Sequence, residues 1–136
     1  MLAYGRDGAP AVSLTQQDIR ELQLASGAIR AGIEALLHKA GLPLRALDSI
    51  LLAGGFGNYI RRENALRIGL LPPLHYLAIR FIGNASLTGA KRALLSQAEF
   101  ARAQALRARC THVELAAEPH FADLFMEHML FPEENA

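Results

Sequence analysis

The sequence has almost no thiol chemistry: its 136 residues include one cysteine, Cys110. A single thiol excludes an intramolecular disulfide, and it excludes an iron–sulfur cluster or a cysteine-based zinc site built from this chain alone. A reducing, cytoplasmic setting is the expectation. Excess charge is missing too, with 14 Lys and Arg against 13 Asp and Glu for a formal net charge of +1. Neither nucleic acid nor an anionic membrane is therefore an expected partner. No apolar run is long enough to cross a bilayer. The segment Met1 to Pro10 carries Arg6, Asp7 and breaker residues, which is not the pattern of a secretion signal. His38, His75, His112, His120 and His128 form neither a pair at helical i,i+4 spacing nor a His-Glu-x-x-His arrangement, so no metal site is expected. Ser86 and Thr88 have no neighbouring base and Cys110 no activating partner, so no catalytic residue is assigned.

What is present is a core. Hydrophobic residues make up 51% of the chain and charged residues 20%, enough apolar surface for one globular domain. Gly5 to Gly8 read as a turn between the apolar segments Met1–Tyr4 and Ala11–Leu14, the pattern of a hairpin. Thr15 and Asp18 form a capping-box pattern that opens a helix. Its apolar positions Ile19, Leu22, Ile29, Ile33 and Leu36, with Ser26 filling the gap, keep one face toward a core. Gly41 and Pro43 end it. Ser49–Ala53 is a short buried-strand pattern, Arg62–Ile68 a helix, and Leu77–Ile82 a second strand. Asn84 caps a helix over Ala85–Leu95, and a polar helix follows over Gln97–Arg107. His112–Leu115 reads as a third strand, and Pro119 as the first residue of a helix reaching Met129. Strands alternating with helices predict an α/β domain with a largely parallel, covered sheet.

Two segments could carry a ligand. Gly54, Gly55, Phe56, Gly57 and Asn58 follow the first strand directly, and glycines at the C-terminal end of a strand let the backbone approach a ligand with no Cβ in the way. Gly83 and Asn84 repeat the arrangement after the second strand, with small residues along the next helix. Phosphate or nucleoside contact and a tightly packed turn are both compatible with such segments. The familiar nucleotide fingerprints do not fit. A dinucleotide motif counted from Gly55 and Gly57 needs a third glycine where Ile60 stands. A Walker A loop needs four residues between its glycines, whereas Gly83 and Gly89 are followed by Ala90, Lys91 and Arg92 and have one residue too many between them.

Taken together, Thr15–Ala25, Ala28–Ile33, Leu52–Gly57, Gly83–Ala85 with Gly89 and Ala90, and Val113–Ala116 with Phe131 and Pro132 resemble the C-terminal domain of reductive activators of corrinoid proteins. The resemblance covers nearly the whole chain. It departs at Ser26, where the family often has lysine. The resemblance implies a ribonuclease-H-like lobe of the actin-like ATPase fold, which sugar kinases and the large heat-shock chaperones share, closing on ATP and Mg²⁺ with a first lobe. It implies that Gly54, Gly55, Phe56, Gly57 and Asn58 form the adenosine-side turn and that Gly83 and Asn84 flank the nucleobase. Backbone amides there would hold the α-phosphate and ribose. The N-terminal ATPase lobe and the ferredoxin-like [2Fe–2S] domain that the family carries are implied partners, with the corrinoid protein as the target of Co(II) to Co(I) reduction. The chain then reads as one lobe, a fragment or a separately encoded piece of a longer activator, inactive as an ATPase alone. Two other readings remain open: a non-catalytic interaction module, and a lobe of a sugar-kinase-like enzyme.

Overall fold

A computed structural model describes residues 11–75 and 78–133. The turn and first arm of the expected hairpin, the start of the second strand pattern at Leu77, and the tail residues Glu134 and Asn135 lie outside the described residues.

Helix α1 (Gln16–Lys39) starts where the capping pattern places it. The Thr15 backbone amide and hydroxyl donate to Asp18 Oδ2 at 2.8 and 2.7 Å, and the Asp18 amide donates to Thr15 Oγ1 at 3.2 Å. The Thr15 hydroxyl, then its backbone amide, holds the Asp18 carboxyl below its ordinary value of 3.8. A depressed carboxylate pKa stabilises the fold above the unfolded value and loses that contribution as pH falls through the folded one. Acid titration followed by helix content is expected to show early fraying of the α1 N-terminus that Asp18→Ala removes. Superimposable acid profiles for the two proteins would contradict this assignment.

The face that α1 buries is not the one its large apolar residues mark. Ser26, Gly27, Arg30, Ala31, Gly32 and Ala35 are buried, while Leu22, Ile29 and Leu36 are 42%, 49% and 47% exposed. The cause is helix α5 (Phe121–His128), which crosses α1 so closely that only small residues fit. A Cβ added at Gly27 would stand 3.1 Å from the Met129 amide nitrogen and 3.2 Å from the His128 carbonyl. Ser26 turns its hydroxyl onto the Leu22 carbonyl at 2.8 Å, the self-bonding that satisfies a buried serine in a helix. Arg30 is held across one turn by Glu34, with Nη2 to Oε1 at 2.6 Å. His128 Nε2 lies 3.2 Å from Glu34 Oε2 without forming a hydrogen bond.

The second packing unit is a strand–helix–strand. β1 (Ile50–Leu52) and β2 (Ile79–Phe81) are parallel, in the register Ile50 to Ile79, Leu51 to Arg80, Leu52 to Phe81. Between them runs α2 (Arg62–Arg67). Ala65, Leu71 and Ile79 form the buried core, with Ile50, Leu52, Ile60, Leu66 and Leu70 packed around it. Alternation puts Leu51 and Arg80 on the other face, where Leu51 is 54% exposed. The sheet is thus parallel as expected but covered on one side. Helices α3 (Ala85–Leu95) and α4 (Gln97–Arg107) keep the bounds expected from the sequence. Asn84 Oδ1 accepts from the Leu87 amide at 3.0 Å and Ser96 Oγ from the Glu99 amide at 3.3 Å. They pack on each other. Of the two readings open for the small residues after Gly83, close packing of α3 on the sheet is not what they serve: α3 has no buried residue and a Cβ at Gly89 would meet nothing within 4 Å among the described residues.

Two expectations at the C-terminal end are corrected. His112–Glu114 forms no strand, and Leu115–Ala117 closes into a 3₁₀ turn. A strand needs a neighbour for its amides and carbonyls, and among the described residues the sheet ends at two strands. Pro119 precedes α5 instead of opening it, with His120 at the N-cap. Beyond α5, the Pro132 ring lies against Gly69, so the chain end returns to the end of α2.

Candidate functional site

The two glycine segments meet. β1 and β2 are parallel and adjacent, so the turns that leave them lie side by side at the same end of the sheet, the end where α/β proteins bind ligands. The Gly54 amide donates to the Gly83 carbonyl at 2.8 Å, and the Ile82 amide to the Leu52 carbonyl at 3.0 Å. Gly54 has φ +95° and Gly83 φ +66°, a region that side chains other than glycine enter only with strain. These two glycines let each strand turn sharply at the same level.

Past Gly54 the chain tightens into a 3₁₀ turn over Gly55–Asn58. Its glycines serve different ends. Gly57 lies against the sheet, where an added Cβ would stand 3.2 Å from Phe81 Cδ1 and 3.5 Å from the Leu52 carbonyl oxygen. Packing alone requires glycine there. A Cβ at Gly54, Gly55 or Gly83 would meet nothing within 4 Å, so these three border open space. Gly55 has no positive φ and no steric neighbour, and the fold gives no reason for its lack of a side chain. Asn84 spends its side-chain oxygen on the α3 cap. Of the seven residues singled out in the sequence, Gly54, Gly55, Gly57, Gly83 and Asn84 thus share one edge; Phe56 and Asn58 belong to the same turn.

One side chain of this edge has no sequence signature. Arg62, the first residue of α2, stacks over Phe81 with its guanidinium carbon 5.1 Å from the ring centroid, within the range of a cation–π contact. Its Nε is sealed from solvent with no hydrogen-bond partner. Sequence shows only an Arg61–Arg62 pair, and nothing in it says which arginine the fold retains.

A separate cavity of about 750 Å³ lies between α1 and α5, lined in part by Glu34, His38, Glu118, His120, Asp123 and Glu127. His38 and His120 meet edge to face at 5.5 Å, and Lys39 pairs with Glu118. Four carboxylates make this cavity a poor host for an anionic ligand. No metal-binding cluster of His, Cys, Asp and Glu occurs among the described residues, and none of their helices is long and apolar enough to cross a membrane.

Residues 2–136 match the family described as the C-terminal domain of RACo, the ASKHA domain. The chain is 41% identical over 120 residues to the corrinoid activation enzyme RamQ of Eubacterium limosum, covering 88% of this chain and 20% of that protein. It is 27% identical over 119 residues to a [Co(II) methylated amine-specific corrinoid protein] reductase of Methanosarcina barkeri, covering 86% and 22%. Among solved structures, a reductive activator for corrinoid, iron-sulfur protein superposes with a TM-score of 0.84 at 36% identity, over 93% of this chain and 20% of that one. The chain therefore spans about a fifth of the length of these relatives. The two-stranded parallel sheet with its helices is part of an α/β, actin-like fold, and the chain belongs to the family of C-terminal ASKHA domains of reductive activators of corrinoid proteins.

Proposed function

We propose that this chain is the adenosine-side lobe of an ATP-dependent reductive activator, which returns an inactive Co(II) corrinoid protein to the Co(I) state used in methyl transfer in the cytoplasm. The observation that carries the reading is the joined pair of glycine turns, with open space over Gly54, Gly55 and Gly83. Backbone amides and an uncluttered surface suit the α-phosphate and ribose of ATP. The described residues hold no carboxylate cluster for Mg²⁺, so the acidic residues that direct the ion belong to a first lobe. The [2Fe–2S] centre belongs to a ferredoxin-like domain, since Cys110 alone cannot hold it. ATP hydrolysed between the lobes supplies the free energy of closure, and the electron passes from the iron–sulfur centre to cobalt.

The exposed surface supports a paired lobe. Leu94 and Leu95 at the end of α3 are 85% and 84% exposed. Leu22, Ile29 and Leu36 form a second apolar stripe at seven-residue spacing along α1. Changing these three to glutamine is expected to weaken association with the first lobe about tenfold or more, a loss of ~1.4 kcal/mol or more, and to leave the helix content of the chain unchanged. Unchanged association, measured by sedimentation, would exclude this stripe from the interface.

The reading is tested by combining the chain with its first lobe and ferredoxin-like domain and following the Co(II) to Co(I) absorption change of the corrinoid partner. Reduction that requires Mg-ATP is the expected result. Reduction at the same rate without nucleotide would favour a docking module in which the glycine turns serve only packing.

A further inference from the structure

We infer that the groove between α1 and α5 receives the α3–α4 hairpin of a second copy of this chain. The two surfaces are opposite in charge, each lacks a partner in the copy that carries it, and their pairing does not depend on the nucleotide-binding reading. The groove, of about 750 Å³, has an apolar floor that includes Leu37, Leu42, Phe121 and Leu124, and no Lys or Arg lines it. Of its four carboxylates, Glu118 pairs with Lys39 and Glu34 with Arg30. Asp123 and Glu127 are exposed and make no ion pair or hydrogen bond among the described residues. One turn apart on α5, these two carboxylates repel each other, and Glu127 stands in the last turn, where the helix dipole disfavours negative charge. An apolar floor beside two uncompensated carboxylates fits a helical surface that carries cations around an apolar centre.

The chain itself carries such a surface. Between Ala85 and Cys110 stand Lys91, Arg92, Arg102, Arg107 and Arg109 against a single acid, Glu99, and all five cations are exposed. Among the described residues only Arg102 has a counter-ion, Glu99 at 3.9 Å. Helices α3 and α4 bury no residue and pack mainly on each other. Gly89, Arg92, Arg102, Ala103 and Leu106 line a hollow of about 300 Å³ along the hairpin. Glycine inside a helix is destabilising relative to alanine, and a Cβ at Gly89 would meet nothing within 4 Å among the described residues. A second helix laid along the hollow would give that glycine a use, since it lets the backbones approach closely.

No ion pair joins the hairpin to the groove within one copy among the described residues. Seating the hairpin of one copy against α5 of the other would bring Arg92 and Arg102 to Asp123 and Glu127 and lay Leu106 over the apolar floor. A two-fold arrangement repeats the contact reciprocally, so both surfaces of both copies are covered and assembly closes at a dimer.

Charge reversal tests the pairing on the whole chain by sedimentation. The wild type is expected to dimerise at about 100 µM or below and to dissociate as salt rises, because exposed charges are screened. Arg92→Glu with Arg102→Glu in one variant, and Asp123→Lys with Glu127→Lys in another, are each expected to weaken self-association about tenfold or more. An equimolar mixture of the two variants is expected to recover the dimer, since the acidic hairpin of the first then meets the basic groove of the second, and the unaltered hairpin of the second meets the unaltered groove of the first. Mixing does not repair misfolding, so recovery separates a charge effect from a structural one. A wild type that stays monomeric at about 100 µM, self-association unchanged in both variants, or a mixture that does not recover would each overturn the inference. A monomeric wild type whose first lobe binds less tightly to the Asp123→Lys, Glu127→Lys variant would assign the groove to that lobe and overturn it as well.

Discussion

Gly55→Val is expected to weaken nucleotide binding a hundredfold or more, about 2.7 kcal/mol or above, while changing the stability of the ligand-free protein by no more than about 0.5 kcal/mol. The selectivity follows from where Gly55 stands. A Cβ there meets no atom of the described residues within 4 Å, its φ is not positive, and the residue is exposed. The fold has no use for the missing side chain. A ligand laid on the backbone does, because a branched side chain would occupy the space the α-phosphate and ribose need. The neighbouring glycines make poorer tests. Gly54→Ala and Gly83→Ala each force a side chain into a positive-φ conformation, at roughly 1–2 kcal/mol, so lost binding would be mixed with a strained turn. Substitution at Gly57 would push Phe81 and disturb the layer beneath. Measured stability and affinity of Gly55→Val separate the two roles: unchanged affinity would show that the ligand does not lie over this turn.

Gly27→Val carries the largest expected cost to the fold, about 2–3 kcal/mol, or a fall in melting temperature of roughly 10 °C. The atoms an added Cβ would meet are the Met129 amide nitrogen and the His128 carbonyl, main-chain atoms that cannot rotate aside as a side chain would. Valine adds two methyl groups beyond that Cβ, and α5 must move away from α1. The shift would also move His128 away from Glu34. Gly27→Ala is the informative companion. Its methyl group asks for a few tenths of an ångström, and the gain of about 1 kcal/mol from replacing a helical glycine opposes that strain, so the net change is expected within about 1 kcal/mol of zero. Two variants of equal stability by thermal unfolding would contradict a crossing limited by backbone contact at Gly27.

These two glycines also mark where sequence reasoning succeeds and where it stops. Caps are local chemistry, so Thr15 with Asp18, and Asn84, fix helix starts that the structure keeps. The pairing of the two glycine turns follows from two short apolar strands separated by a helix, a connection that makes them parallel and brings their exits together. Periodicity in α1 identifies an apolar stripe at Leu22, Ile29 and Leu36, but periodicity cannot say what covers a stripe. Within this chain α5 takes the small-residue face at Ser26, Gly27 and Ala31 instead. Val113 and Leu115 carry strand composition and find no strand to pair with among the described residues, so composition misleads there. The stacking of Arg62 is invisible from sequence because it depends on a ring nineteen positions later, brought under it by the return of β2.

The most direct test of the central claim is thermal unfolding of the chain combined with its first lobe, with and without millimolar Mg-ATP. A ligand that binds only the folded assembly must raise its apparent stability with its saturation. The account predicts a clear upward shift that Gly55→Val abolishes. A wild-type assembly whose melting temperature is indifferent to Mg-ATP would contradict a nucleotide site at the joined glycine turns.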